Sequence, residues 1–273
     1  MLLLTVSFSR WCAGRKSHSK IPSVDVDSFR SLVLTFRALR RTPFSFEVIL
    51  VAEIELIAVP GTEALDELRQ SLAEAPETGY RPILVGDAAD YDQILEGIED
   101  GEDPEAILAK AERISASEWF LAEQDDGGLD SDLLSGEWPS IGESEEEMGI
   151  ITHLDLRTHK PKPEVLIRNL KIPAAWQAFA QLSWGGWNDC PSPAEHCAIH
   201  RYWTEKYGAE VVSITHDTVQ CIVSRPPTDR DAAIKLATEQ YLYCGDIVDQ
   251  GCQSITDLAA SLMNSNYWYF WWD

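Results

Sequence analysis

The chain has 273 residues, 45% hydrophobic and 25% charged, enough apolar material for one sizeable core or two small ones in a soluble globular protein. Its 22 Lys and Arg against 45 Asp and Glu give a formal net charge of -23, which repels phosphate backbones and anionic lipid and disfavours a nucleic-acid or membrane-surface binder. No stretch of about 18 uncharged apolar residues offers a spanning helix, and six cysteines with no C-x-x-C pair read as packed cytosolic thiols, not as a disulfide framework or a zinc knuckle.

Residues 1–45 read as a poorly ordered basic leader or as sequence upstream of a misassigned start. The first 41 residues carry eight basic residues against Asp25 and Asp27. Arg10 interrupts the apolar run after Leu2-Leu3-Leu4, so the pattern does not fit a secretory signal, although the Ser- and Arg-rich, acid-poor composition also suits an organellar transit peptide. Residues 46–122 form a smaller N-terminal α/β segment. A dense apolar run from Phe46 to Val59 predicts a strand, Pro60-Gly61 a turn, and Thr62 the cap of a helix to about Ala75. Arg81 to Asp87, bounded by Pro and Gly, predicts a second buried strand, and Asp103-Pro104 starts a helix to about Ile114.

From Asp87 to Glu147 there are 21 Asp and Glu against Lys110 and Arg113. Residues 123–155 therefore read as an acidic linker or loop, a solvated stretch that can also attract a basic partner. Residues 156–273 are compact and aromatic, with strands alternating with helices: strands at Glu164 to Leu170, Ala209 to Ile214 and Thr218 to Val223, and helices at Pro173 to Leu182, Ser192 to Tyr207, Thr228 to Tyr243 and Ile255 to Met263. Ser192-Pro193-Ala194-Glu195 is a capping box with Pro at the first helical position, and Gly208 stops that helix. The closing Tyr267-Trp268-Tyr269-Phe270-Trp271-Trp272 is aromatic on both strand faces, so it is buried on both sides or meets a partner. The fold class is a mixed α/β (α+β) protein.

The series Gly185-Gly186-Trp187-Asn188-Asp189-Cys190-Pro191, Pro193-Ala194-Glu195-His196, Arg201-Tyr202-Trp203, Tyr207-Gly208-Ala209-Glu210, Arg225-Pro226-Pro227, Glu239-Gln240-Tyr241 and Trp268-Tyr269-Phe270-Trp271-Trp272-Asp273 resembles a bacterial family known as a domain of unknown function, with GGWN-x-CP-x-PAEH and WYFWWD signatures. The resemblance covers residues 160 to 273 closely and 61 to 122 loosely. It brings no established activity with it.

Candidate chemistry centres on the start of the capped helix. His196 and His200 are one turn apart, with Cys190 just before them, a set that could ligate a metal. At 100° per residue, however, His196 falls inside the apolar face, where a packed, hydrogen-bonded imidazole is expected; no metal and no cofactor is assigned. Cys190 near a helix N-terminus should have a lowered pKa, and with His196 and Asn188 it supplies the residue types of a thiol hydrolase. Glu195 is explained by the capping box. Glu239, Asp246 and Asp249, with Asn188, could form an oxygen-rich site, and Trp187 and Gln240 complete the candidate binding set of Trp187, Asn188, His196, Glu239, Gln240 and Asp246. Charge and tryptophan content point to a cytoplasmic factor that binds another, basic protein, of the antitoxin or immunity type. A hydrolase with a cleft around Asn188, His196 and Glu239 is the alternative, so enzyme status stays open.

Overall fold

In chain order the elements are β1 (Leu56–Val59), α1 (Ala64–Thr78), β2 (Arg81–Leu84), α2 (Ala88–Asp100), α3 (Pro104–Ala111), α4 (Ala116–Glu123), β3 (Leu154–Asp155), β4 (Lys160–Pro161), β5 (Val165–Leu170), a 3-10 turn at Ala175–Gln177 leading into α5 (Ala178–Gln181), α6 (Pro193–Tyr207), β6 (Ala209–Ile214), β7 (Thr218–Val223), α7 (Arg230–Tyr243), α8 (Ile255–Leu262) and β8 (Tyr267–Trp271). They come from a computed structural model that describes residues 56–125, 137–139 and 149–273. The basic leader, residues 46–55 of the strand expected from Phe46 to Val59 and much of the acidic 123–155 segment lie outside the described residues.

One six-stranded sheet, in the order β1-β5-β2-β6-β7-β8, organises the molecule. Every neighbouring pair is antiparallel except β2 and β6, which run parallel where Leu84 faces Ser213. Strands from both sides of the acidic segment thus share one sheet. Side chains alternate between its faces. On one face, Ile83, Leu166, Val211, Val219, Cys221, Trp268 and Phe270 enter a large core with α5, α6, α7 and α8. On the other, Val59, Leu84, Val165, Ile167 and Val212 pack on Ala64 and Leu68 of α1 and on Ile150. Thr152 closes this second face through hydrogen bonds to Ser213 and Gln220, each at 2.7 Å, so the polar atoms placed there are satisfied.

The large core is aromatic. Trp203 is fully buried, parallel to Phe270 at 5.6 Å and edge-on to Trp268 at 5.6 Å. Rings of this size each remove about 150 to 250 Å² from water, which makes them the main source of burial free energy in so small a sheet.

Local signals set the helix starts. In α6, Ser192 Oγ accepts from Glu195 N, the Glu195 carboxylate accepts from Ser192 N at 2.7 Å, and Gly208 ends the helix at φ +61°. Two expected caps differ. Glu63, without a side-chain cap bond, stands at the start of α1 where Thr62 was expected, and Asp229, accepting from Ala232 N at 2.9 Å, caps α7 in place of Thr228. Helix α2, absent from the sequence reading, is held by a reciprocal Asp87–Asp90 capping box. The closing strand is buried on one face only: Trp268 and Phe270 are 1% and 0% exposed, whereas Tyr267, Tyr269 and Trp271 are half-buried. Its position at the sheet edge leaves that second face less covered.

Candidate functional site

The residues singled out from the sequence divide into three places. The first is inside the aromatic core. His196 is 0% exposed, with Nε2 3.3 Å from Cys190 Sγ and Nδ1 2.7 Å from the Tyr243 hydroxyl. The rings of Phe179, Trp184 and Trp272 enclose it at 4.7, 4.9 and 5.6 Å. Burial, followed by the neighbouring His200, holds its pKa well below the usual imidazole value. Burial pushes the Cys190 thiol up, and this reverses the expected helix-dipole activation, because the residue, 5% exposed, has lost more hydration than the helix end returns.

The second place is the sheet's closing corner. Asn188, in a left-handed conformation at φ +46°, donates from Nδ2 to the Asp273 carbonyl at 2.7 Å, and Asp246 Oδ2 accepts from Asp273 N at 3.0 Å. Between them these two side chains hold the backbone that follows β8. The third is a buried carboxylate on α7. Glu239, 7% exposed, accepts from Tyr202 Oη at 2.9 Å, Trp203 Nε1 at 3.2 Å and Lys206 Nζ at 3.0 Å. Burial disfavours the Lys206 ammonium, yet bonds to Tyr202, Tyr207 and Glu239 outweigh it and raise the pKa above the usual lysine value. Gln240 is 1% exposed and its Nε2 is buried without a partner. Asn188, His196 and Glu239 therefore have three separate sets of partners. Among the described residues no group of three or more His, Cys, Asp and Glu is placed to hold a metal ion.

A cleft of about 640 Å³ opens elsewhere, walled by α2, the loop after α5, the β6–β7 turn and the end of β8. Four carboxylates (Glu96, Asp100, Asp217, Asp273) and four indoles (Trp184, Trp187, Trp271, Trp272) line it, and among the described residues no Lys or Arg does. Trp184 and Trp272 are 3% exposed and brace the wall, with Trp184 edge-on to Trp187 at 4.8 Å and to Trp272 at 5.5 Å; Trp187 and Trp271 are half-buried. The loop carrying Trp187 is tightly wound, with positive φ at Ser183, Gly185, Gly186 and Asn188. At Gly185 a Cβ would stand 2.4 Å from the Pro191 carbonyl and 2.6 Å from His196 Nε2, so only glycine lets this loop close on the core.

His216 sits at the edge of the cleft, donating from Nδ1 to Asp90 Oδ1 at 2.6 Å, with Nε2 3.3 Å from Asp217 Oδ2. Behind it, Asp90 Oδ2 accepts from Lys162 Nζ and Asp87 N, each at 3.0 Å, and Lys162 also pairs with Asp87 at 2.9 Å. Burial opposes the charge on Lys162, but the hydrogen bonds to Asp87 and Asp90 outweigh it and raise its pKa. Asp90 and His216 follow β2 and β6, the one parallel pair, so they lie beyond the carboxyl ends of adjacent parallel strands, where α/β sheets hold ligands. Sequence reading missed this cluster. Its one local signal is Gly86-Asp87-x-x-Asp90, a strand end followed by a capping box; His216 stands in a three-residue turn with nothing to mark it.

Residues 166–273 match the family model described as Domain of unknown function (DUF4253). The match agrees with the sequence resemblance at that level. It begins inside β5 and runs through β8, so it contains Trp184, Trp187, His216, Asp217, Trp271 and Asp273, while Asp90, Glu96 and Asp100 on α2 precede it. The cleft is thus built across the boundary of the matched region. No curated protein and no solved structure matches the chain.

Proposed function

We propose that the protein is a binding factor for a basic protein partner, and that the cleft between α2 and the end of β8 is where the partner is gripped. The observation that carries this reading is the cleft lining: four carboxylates, four tryptophans and, among the described residues, no Lys or Arg, with His216 held between Asp90 and Asp217, on a chain of net charge -23. A field of that sign speeds encounter with a cationic surface, and rigid indoles in a concave site supply the desolvated contact that holds it. In its finer form the reading is a cytoplasmic antitoxin or immunity-like factor that occupies a basic target. The test is calorimetric titration of the full chain with a peptide alternating lysine, arginine and glycine, beside its glutamate counterpart. Binding of the basic peptide alone, weakened by added salt, is expected; no binding at low ionic strength rejects the reading. The antitoxin form further requires a growth-inhibiting basic protein encoded beside this one and neutralised by co-expression.

One observation favours a second reading, a hydrolase. The Asp90–His216 pair has the carboxylate-to-imidazole geometry that orients a general base, and His216 faces the cleft. Turnover of chromogenic esters that disappears in His216→Ala would support it. Rates equal in the two proteins across the panel would remove it.

A further inference from the structure

We infer that the cleft recognises an arginine side chain of the partner, with its guanidinium laid against the half-buried indoles of Trp187 and Trp271 and paired with the carboxylates that line the same walls. The inference rests on the binding reading above and names the group that enters. Trp187 and Trp271 are half-buried and line the cleft, yet cannot collapse into it, because Trp187 is braced edge-on by buried Trp184 and Trp271 is carried by a paired strand and its carbonyl accepts from Cys244 Sγ at 3.0 Å. The surface is therefore preformed, which lowers the ordering cost of binding.

Arginine is selected over lysine on three grounds. A guanidinium is planar, stacks on an indole face and is less strongly hydrated than an ammonium, so it gives up less water in an aromatic cleft. Its fork of donors also matches several carboxylate oxygens at different heights, which Glu96, Asp100 and Asp217 provide. Both cations that lie over an indole among the described residues are arginines, Arg201 at 5.6 Å over Trp176 and Arg230 at 4.6 Å over Trp138, while the tyrosines take Arg168 as well as Lys171 and Lys206.

Trp272, 3% exposed, backs the same wall and keeps it rigid, packed edge-on to Trp184 at 5.5 Å. The nearby Asp87 and Asp90 are already engaged, since Lys162 pairs with both from behind and His216 with Asp90.

Tryptophan fluorescence of the full chain is followed during titration with three capped peptides that differ at one central position: arginine, lysine, or citrulline, the neutral isostere of arginine. The expected result is saturable quenching by the arginine peptide, at least about tenfold weaker binding of the lysine peptide, and none of the citrulline peptide. Asp217→Asn and Asp100→Asn should each weaken the arginine peptide several-fold while leaving the thermal transition in place. Equal binding of arginine and lysine peptides overturns the inference and leaves the basic-partner reading intact. Failure of every short peptide while a long basic peptide still binds also overturns it, because recognition would then be diffuse. Failure of all basic peptides, long and short, rejects both.

Discussion

The Tyr243 hydroxyl stands 2.7 Å from His196 Nδ1 in a region sealed from solvent. The same oxygen lies 2.8 Å from His200 Nε2, and a hydroxyl has one hydrogen, so it donates to one imidazole and accepts from the other. His196 is also hydrogen-bonded to the Pro191 carbonyl, and since Nδ1 is turned to Tyr243 that bond belongs to Nε2. That places the His196 hydrogen on Nε2. Nδ1 then accepts from Tyr243, Tyr243 accepts from His200 Nε2–H, and His200 Nδ1 is left facing Cys221 Sγ at 3.8 Å. Both ring nitrogens of each imidazole and the Tyr243 hydroxyl are met while both imidazoles are neutral, and a proton added to either ring would have to displace a hydrogen already in place.

Stability should therefore fall in mild acid. Burial lowers the His200 pKa to about 3 and, with the His200 neighbour, holds His196 well below 6.5. The unfolded chain takes up these protons below pH about 6.5 and the folded chain does not, so unfolding gains protons and stability declines as pH drops through that range. Two such groups give a slope of about 2.7 kcal/mol per pH unit below about pH 6, or about 4 to 5 kcal/mol by about pH 4.5, a large part of a typical domain's stability of about 5 to 15 kcal/mol. Denaturant titrations at pH 7.5, 6 and 5 check this. An unfolding midpoint that does not move between pH 7 and 5 contradicts the neutral pair.

The core was more legible than the cleft, for a physical reason. Helix α6 follows from Ser192-Pro193-Ala194-Glu195 at one end and Gly208 at the other, and its angular pattern puts His196 toward the apolar side; each of these signals acts over one or two turns. Helix α2 was hidden because its acidic residues dominate the composition and only Tyr91, Ile94 and the partly buried Leu95 and Ile98 mark its inner face. The cleft has no local signature at all. Its walls come from positions near 96, 185, 216 and 272, and they meet because β2 lies parallel to β6, a long-range pairing that one sequence does not reveal. The expected grouping of Asn188, His196 and Glu239 used proximity in sequence and helix spacing, neither of which reports which side of α6 or α7 a neighbour will occupy.

Gly86→Ala should unlock the Asp90 cluster. Gly86 has φ +82°, and a Cβ there would stand 2.2 Å from Asp90 Oδ2. The methyl group both strains the backbone and pushes the carboxylate from Lys162 and His216, at a cost of about 1 to 3 kcal/mol. The check is chemical denaturation together with the ring-proton NMR signals of His216. An unchanged midpoint with unchanged His216 signals would show that the loop absorbs the methyl group without moving Asp90.

Removal of Lys206 should be costlier than its half-exposed position suggests. Glu239 is 7% exposed and shares its oxygens among Tyr202, Trp203 and Lys206. In Lys206→Met the carboxylate keeps two neutral donors but loses its compensating charge, which should destabilise the fold by about 2 to 4 kcal/mol. The double variant Lys206→Met, Glu239→Gln should recover much of that loss, because the amide keeps an oxygen for Tyr202 or Trp203 without a buried charge. Thermal unfolding of the single and double variants decides it, and a double variant no more stable than the single one would show that packing of the lysine stem, not charge, is at stake.

Trp268→Ala and Trp271→Ala should part stability from binding although the residues lie three apart on one strand. In the β8 register Trp268 faces Cys221 across the sheet and points into the core, 1% exposed, with Trp203 and Tyr207 each 5.6 Å away. Its truncation leaves a large cavity and should cost about 3 to 5 kcal/mol. Trp271 faces Thr218, is half-buried and lines the cleft, so the burial-based cost that its aromatic context suggests is reduced to about 1 to 2 kcal/mol. Trp268→Phe adds a control: the Trp268 indole N–H is buried without a partner, so the smaller ring loses volume but also removes an unmet donor, and should cost less than half of the alanine change. Denaturation midpoints of the three variants, with basic-peptide titration of each folded one, give the comparison. Trp271→Ala should keep the fold and lose the peptide; if it unfolds as readily as Trp268→Ala, the outer face of β8 is core and the cleft wall is not free to bind.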